Sequence, residues 1–592
     1  MDSYDYIVCG AGTAGPVVAA RLSEDPSVTV LLIEAGPDNI ALENTHMVGG
    51  WSQNFDTEND WNFVSEPNAA AANREIKLSR GKFLGGSSAV NGTLMVRGAK
   101  QDYDDWESMG NTGWGAEQMW YYFNKSETFH SQEGFKEDVS SHGKTGPIHT
   151  TVHPYAPISN RVYESFIDKG FPMDDDMFVS GTRAHGCGHC TRSVWKGMRM
   201  TGGEYIRSSI GDLRLARSNN LHVAFGCQVT RVILDSKNQV KGVEVIKGLS
   251  NETVTVKCRR EVILSMGSYG SPQTLLLSGI GPKEELREVG VQPRVDLPGV
   301  GKNLEDHLTV FLFYEVPQGF TTDHLLHGEG VWEKSREEWR TTRGGTLCRS
   351  HFGSFAFTRM DDRLSKHESW QKAKAKAKPG RDPLGLTSTQ AQVEYFTTER
   401  YAAPKHYNNP PPTGRSAFGL IIMGLGSLSR GYLKIRSRNP RDKPNIQHNY
   451  LSNPLDVLVL AEACKLGSQT ILEGKGTKDL ILGSWPTEDK HHQFTELSQW
   501  EDYVRKNATT CFHPSSTCKM GPTSDPGAVV DARLRVRGVQ GLRVADCSIM
   551  PKLNNGHPQA VAYAIGEKCA DMIKDDWKDL RKKDTFIATS LL

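Results

Sequence analysis

The sequence lacks an excess of charge, a membrane-length apolar run and a disulfide pattern, and each absence removes a class of function. Lys and Arg number 70 against 69 Asp and Glu, a formal net charge of +1 over 592 residues. Without a net field the chain has no long-range means of drawing in nucleic acid or an anionic membrane, so neither is expected as a partner. No apolar stretch approaches the ~20 residues of a membrane span, and mean hydropathy is −0.48. A strand-like run begins at Tyr6, leaving no room ahead of it for a cleaved secretory leader. Cysteine numbers 11, an odd count, so reduced thiols are expected rather than a disulfide framework. At the C-terminus, Ser590-Leu591-Leu592 puts leucine where a peroxisomal signal carries a basic residue. The cytoplasm is therefore the expected location and the peroxisome the lesser alternative. A small molecule is the default substrate.

What is present starts with a nucleotide motif. Tyr6-Ile7-Val8-Cys9 reads as a buried strand and leads into Gly10-Ala11-Gly12-Thr13-Ala14-Gly15. A helical pattern follows through Val18, Ala19 and Leu22, then a second strand-like run, Val28 to Ile33, ending at Glu34. This is a βαβ dinucleotide fingerprint. Gly10 allows the tight turn, Gly12 lets a pyrophosphate approach the backbone, and Gly15 lets helix and strand pack closely. The N–H groups of Thr13 and Ala14, at the helix start, face the phosphates. Glu34 lies 34 − 15 = 19 residues after the third glycine, where a carboxylate accepts from an adenosine ribose. Pro16 falls in the first helical turn, where no N–H is needed. The motif alone does not separate FAD from NAD.

Four further segments carry a family resemblance. They are Arg80 to Gly92 (RGKFLGGSSAVNG), Gly267 to Gly281 with its GSYGSP start, Asp296 to His307 with Asn303 and Asp306, and the C-terminal group Cys511-Phe512-His513-Pro514, Val544-Ala545-Asp546 and His557-Pro558-Gln559. In order and spacing, over nearly the whole chain, they resemble the glucose–methanol–choline (GMC) oxidoreductases. Within that family the likeness extends furthest toward fungal formate oxidases and alcohol oxidases, through Gly566 to Lys574 and the region around Lys372 to Asp382. The resemblance implies FAD as cofactor, contacted by Gly85, Gly86, Ser87, Asn91, Gly92, Asp546, Pro558 and Gln559 besides the N-terminal motif. It also implies an α/β fold in which a Rossmann-like FAD domain (1–155, 222–311, 528–580) is interleaved with a substrate domain (156–221, 312–527) built on a large antiparallel sheet. Ala417 to Met423 and Tyr432 to Arg436 read as strands of that sheet.

Removing a hydride from an alcohol carbon is easier when a base takes the hydroxyl proton, and histidine suits that task near neutral pH. The resemblance assigns the roles to His513, as base, and His557, as the residue binding the alcohol oxygen; they stand 557 − 513 = 44 residues apart. Formate oxidases carry arginine where this chain has His557, and an arginine can clamp a carboxylate. The expectation is therefore a neutral primary alcohol, aryl or aliphatic. It is oxidised to the aldehyde, with O2 (giving H2O2) or another acceptor taking the electrons. Formate or choline-type oxidation is the alternative, and a hydroxynitrile-lyase-like, non-redox enzyme on the same fold is another. Val90 stands where some family members attach FAD through histidine, so the flavin is expected to be non-covalent. Ser516 replaces a usual glycine and is expected to tighten the space beneath the substrate.

Other signals weigh less. Cys187-x-x-Cys190, with His185 and His189, has no second CxxC to complete a structural zinc site, so no metal is expected and the segment reads as a cavity-lining loop. The basic run Lys372 to Lys378 lacks interleaved aromatics and reads as a solvated helix end. Residues 329–343 and 408–414 read as a cover over the active site. Nothing in the sequence addresses the oligomeric state.

Overall fold

Two seven-stranded sheets organise the chain in the computed structural model, which describes residues 3–209, 212–216, 219–248, 250–325, 330–401 and 414–590. The first grows from the nucleotide motif. Ser3–Cys9 lies parallel to Val30–Ile33, with Tyr6 opposite Val30 and Cys9 opposite Ile33. Between them runs the helix Gly15–Ser23, with its proline in the first turn as the sequence implies. The strand order is Leu221–Ala224, Val30–Ile33, Ser3–Cys9, Thr253–Leu264, Val240–Lys247, Cys227–Leu234, and Leu542–Val544 also pairs with Thr253–Leu264. The last two strands of that order return antiparallel; the other pairings are parallel. Ile7, Val8, Leu31, Leu32, Val262 and Ile263 are fully buried, which is why these strands read as continuous apolar runs rather than alternating ones. Each such side chain contributes roughly 1.5–3 kcal/mol on leaving water.

The helix Pro558–Ser590 packs across Gly15–Ser23. Val561, Ile565 and Cys569 are fully buried and Met572 nearly so, the helical stripe expected from their spacing. Gly566 permits the close crossing, since a Cβ there would stand 2.8 Å from Val17 Cβ. Beside it the Arg21 guanidinium meets the buried Glu567 carboxylate at 2.8 Å.

The second sheet is wholly antiparallel, in the order Gly483–Ser484, Leu308–Val316, Ser416–Gly424, Val393–Thr398, Phe352–Thr358, Gly186–Gly188, with Thr509–Thr510 also pairing with Leu308–Val316. The expected run from Ala417 lies at its centre. Tyr432 to Arg436 does not join it: Tyr432–Lys434 pairs with Asn445–Gln447 in a separate ribbon. Its middle residue is buried and its neighbours are half-exposed, a pattern that marks a strand without naming its partner. The Cys187 segment is corrected too, because Gly186–Gly188 is the outer strand of this sheet and not a loop. Among the described residues no helix is long and apolar enough to cross a membrane.

Candidate active site

Residues of both sheets line one cavity of about 300 Å³, a size suited to a small-molecule site. The glycine turn supplies Gly10, Gly12, Thr13 and Ala14, and Glu34 lines it from the end of the second strand. The three motif glycines are required for different reasons. Gly10 has φ +98°, and a Cβ on it would stand 2.5 Å from the Ser265 carbonyl oxygen. On Gly15 a Cβ would stand 1.9 Å from the Gly10 carbonyl oxygen, so it serves helix–strand packing and does not line the cavity. On Gly12 a Cβ would meet nothing within 4 Å; it would project into the space that an FAD pyrophosphate needs. The Glu34 carboxylate accepts from the N–H groups of Ala11 (2.8 Å) and Gly36 (2.9 Å). Each of its oxygens keeps a further acceptor site for a ribose hydroxyl. Burial pushes Glu34 up to about 7 despite those bonds. The cradle fits the ADP half of FAD.

From the second glycine-rich segment Gly86, Ser87, Val90, Asn91 and Gly92 reach the cavity. Gly85 does not; at φ +89° it holds the turn, with its N–H on the Ala11 carbonyl at 2.8 Å. The Asn91 side chain donates to Gln559 Oε1 at 2.7 Å, tying this loop to the C-terminal segment. Arg199, which the sequence did not point to, locks the same residue by donating to Asn91 O (2.6 Å) and Oδ1 (2.9 Å). Asp546, Pro558 and Gln559 also line the cavity. Asp546 accepts from the Gly267 N–H at 2.9 Å and the Ser271 hydroxyl at 2.5 Å.

His513 and His557 meet edge to face, with ring centroids 4.8 Å apart at 83°. His513 is fastened by its N–H to Asp306 Oδ1 (2.8 Å), and that carboxylate is itself held by Tyr450 and Thr510. Its Nδ1 lies 3.0 Å from His307 Nδ1. His557 sits at the start of the helix Pro558–Ser590, and its Nε2 lies 3.1 Å from Glu394 Oε1. The ring nitrogens left for a ligand are thus His513 Nε2 and His557 Nδ1. Burial, reinforced by the charges of His557, His307 and Arg80, holds His513 well below the usual histidine range. Burial, with His557, likewise holds His307 down to about 3. Cys511 also lines the cavity, and burial pushes its thiol well above the ordinary value.

Glu394 was missed by sequence reasoning, although a lone acid within Val393–Thr398, an otherwise uncharged and wholly buried strand, is a readable signal. The walls were missed as well: Trp51, Phe55, Phe352, Phe396 and Phe512. Arg80 is the one arginine of the lining among the described residues, and its Nε and Nη2 donate to the carbonyls of Ser79 and Phe512.

Three expectations are corrected. Cys187 and Cys190 do not line the cavity. Their sulfurs turn to the carbonyls of Phe171 (3.8 Å) and Thr191 (3.3 Å) instead. Ser516 is not in the lining either; its effect is on the backbone, which takes φ +73°. The helix Val331–Thr342 contributes nothing to the lining and ties through Arg336 and Arg340 to Glu43. Of its expected companion in the cover, 408–414, residues 408–413 lie outside the described residues.

Two family models described as GMC oxidoreductase match the chain, over residues 4–309 and 427–566. An oxygen-dependent choline dehydrogenase of Brucella anthropi is 32% identical over 577 residues, spanning 96% of this chain and 95% of the relative. Among solved structures, a variant of formate oxidase from Aspergillus oryzae superposes with a TM-score of 0.90 at 29% identity, covering 98% of this chain and 99% of that one. An FAD-dependent oxidoreductase from Chaetomium thermophilum reaches 0.82 at 28% identity, over 97% and 100%.

Proposed function

The chain belongs to the GMC oxidoreductase family and is an FAD-dependent oxidoreductase acting on CH–OH donors; from that footing we propose that it oxidises a neutral primary alcohol, aryl or aliphatic, to the aldehyde. The observation that carries this reading is the right-angled His513–His557 pair, each ring anchored at one nitrogen and open at the other. The division into FAD-binding (1–155, 222–311, 528–580) and substrate (156–221, 312–527) parts goes with it.

When bound, FAD supplies the hydride acceptor. His513 takes the hydroxyl proton at Nε2. Because burial holds it well below the usual range, that nitrogen is unprotonated at neutral pH. The tautomer able to accept carries its hydrogen on Nδ1 and donates it to His307 Nδ1. His307 Nε2 then holds a hydrogen with no partner among the described residues, a cost of about 1–3 kcal/mol. His557, with Nε2–H on Glu394, turns Nδ1 to the substrate oxygen and shares the proton. The alcohol loses one proton and one hydride, and the two electrons pass on to O2, giving H2O2, or to another acceptor.

The aromatic walls suit an apolar alcohol. At position 557 there is no arginine to clamp a carboxylate, which argues against formate. A second reading, a quaternary amino alcohol such as choline, draws on the same rings as a cation–π box, with Glu394 behind them, and on the Brucella relative's name. Val90 in the lining leaves no attachment point there, so FAD is held non-covalently.

An anaerobic spectrum of the purified yellow protein tests this. Benzyl alcohol, hexanol, choline and formate are added in turn, and bleaching with a neutral alcohol is expected. Recovery on admitting air, with peroxide formed, marks an oxidase; no recovery marks a dehydrogenase. Bleaching by formate alone, or by none of them with cyanohydrin cleavage present, refutes the reading.

A further inference from the structure

We propose that Cys511, His513 and His557 form a binding site, in the wall of the alcohol pocket, for a divalent cation of borderline softness, Zn²⁺ or Cd²⁺. The three donor atoms lie within 4.8 Å of one another. Around a tetrahedral zinc, ligands about 2.0–2.3 Å from the metal stand roughly 3.3–3.8 Å apart, so the side chains need to close by about an ångström. One sulfur and two imidazole nitrogens are the donor set such ions select.

The outer contacts are already those of a metal site. Ligating histidines usually give their second nitrogen to a carboxylate or another acceptor, which fixes the ring and its tautomer. Here His557 Nε2 is committed to Glu394 at 3.1 Å and His513 Nδ1 to His307 at 3.0 Å. Each leaves its other nitrogen for the ion. On binding, the S–H bond of Cys511 breaks, a metal–sulfur bond forms and the proton leaves to solvent. A divalent ion, one thiolate and the Glu394 carboxylate then sum to no net charge, which eases burial. The fourth position stays open to water or the alcohol oxygen.

No motif announces this site, because Cys511 and His557 are 557 − 511 = 46 residues apart. The two sulfurs of the Cys187-x-x-Cys190 motif turn to separate backbone carbonyls.

Metal binding is read without turnover, so it stands apart from the choice of alcohol. The flavin-loaded protein is dialysed against zinc or cadmium chloride, and bound metal is measured by mass spectrometry. One equivalent per chain is expected. Cys511→Ser should weaken binding at least tenfold. Glu394→Gln, which keeps the thiol, should weaken it on the order of 10–100-fold. Cys187→Ser should bind as the parent does. An unchanged flavin spectrum certifies each variant as folded. The proposal fails if the parent retains no equivalent, if Cys511→Ser retains metal equally tightly, or if Cys187→Ser loses it to the same extent.

Discussion

Glu394 Oε1 stands 3.1 Å from His557 Nε2, while the other oxygen of that fully buried carboxylate has no partner among the described residues. An acid with one partner in a dry interior is positioned for that partner. Glu394→Gln keeps the shape and removes the charge. The rate of flavin reduction by the alcohol is expected to fall on the order of 10–100-fold, about 1.4–2.7 kcal/mol, with FAD still bound. Stopped-flow absorbance measures it, and an unchanged rate would sink the role given to Glu394.

Replacing the proposed base, His513, tests the other half of the pair. His513→Ala should retain FAD and lower the reduction rate by about 10²–10⁴-fold. In the parent protein the acid limb of kcat/KM should lie well below pH 6.5, because burial depresses His513 from its ordinary 6.5. A limb centred at 6.5 or above would assign the proton transfer to another group.

The glycine turn offers a paired experiment. Gly12→Val points its side chain into open cavity, so the expected product is a folded, colourless protein. Gly15→Ala drives a methyl to within 1.9 Å of the Gly10 carbonyl oxygen and should lower the melting temperature. Flavin content and calorimetry together separate the two outcomes.

Acid should destabilise the fold. Burial holds His46, His307, His448 and His491 down to about 3. Between pH 6.5 and about 3 the folded chain binds fewer protons at these residues than the unfolded chain does. Their stability is therefore complete above 6.5 and lost on acidification, by roughly 1.4 kcal/mol per pH unit each. Glu34 and Asp102, raised by burial to about 7 and about 6, act in the opposite sense, as do Asp176, Glu204, Asp306, Glu399 and Asp546, whereas burial also holds His153, His351 and His513 well below the usual histidine range. On the alkaline side, burial opposes protonation of His142, yet its bonds to Asp176 and Glu127 win and lift it to about 9. That contribution is complete below 6.5 and fades as pH rises through about 9. Denaturant midpoints from pH 5 to 9 should show a maximum near neutrality.

Ser516 occupies a backbone conformation that favours glycine. Ser516→Gly is expected to be more stable than Ser516→Ala by about 1 kcal/mol, read as the difference in unfolding free energy. Equal stabilities would mean the φ carries no strain.

The sequence by itself determined what is local. The strand–turn–helix–strand of residues 6–34, the stripe Val561, Ile565, Cys569 and Met572, and the pairing of His513 with His557 were all legible, because each rests on spacing within one segment or on a family motif. Tertiary structure alone decided what depends on partners distant in the chain. Glu394 reaches His557 across 557 − 394 = 163 residues, and Arg199 clamps Asn91 across 199 − 91 = 108. Likewise Tyr432–Lys434 pairs with its own ribbon rather than with the large sheet. A period of two or 3.6 residues reports which face of an element is buried, whereas the group that covers that face is chosen by packing, and packing has no period.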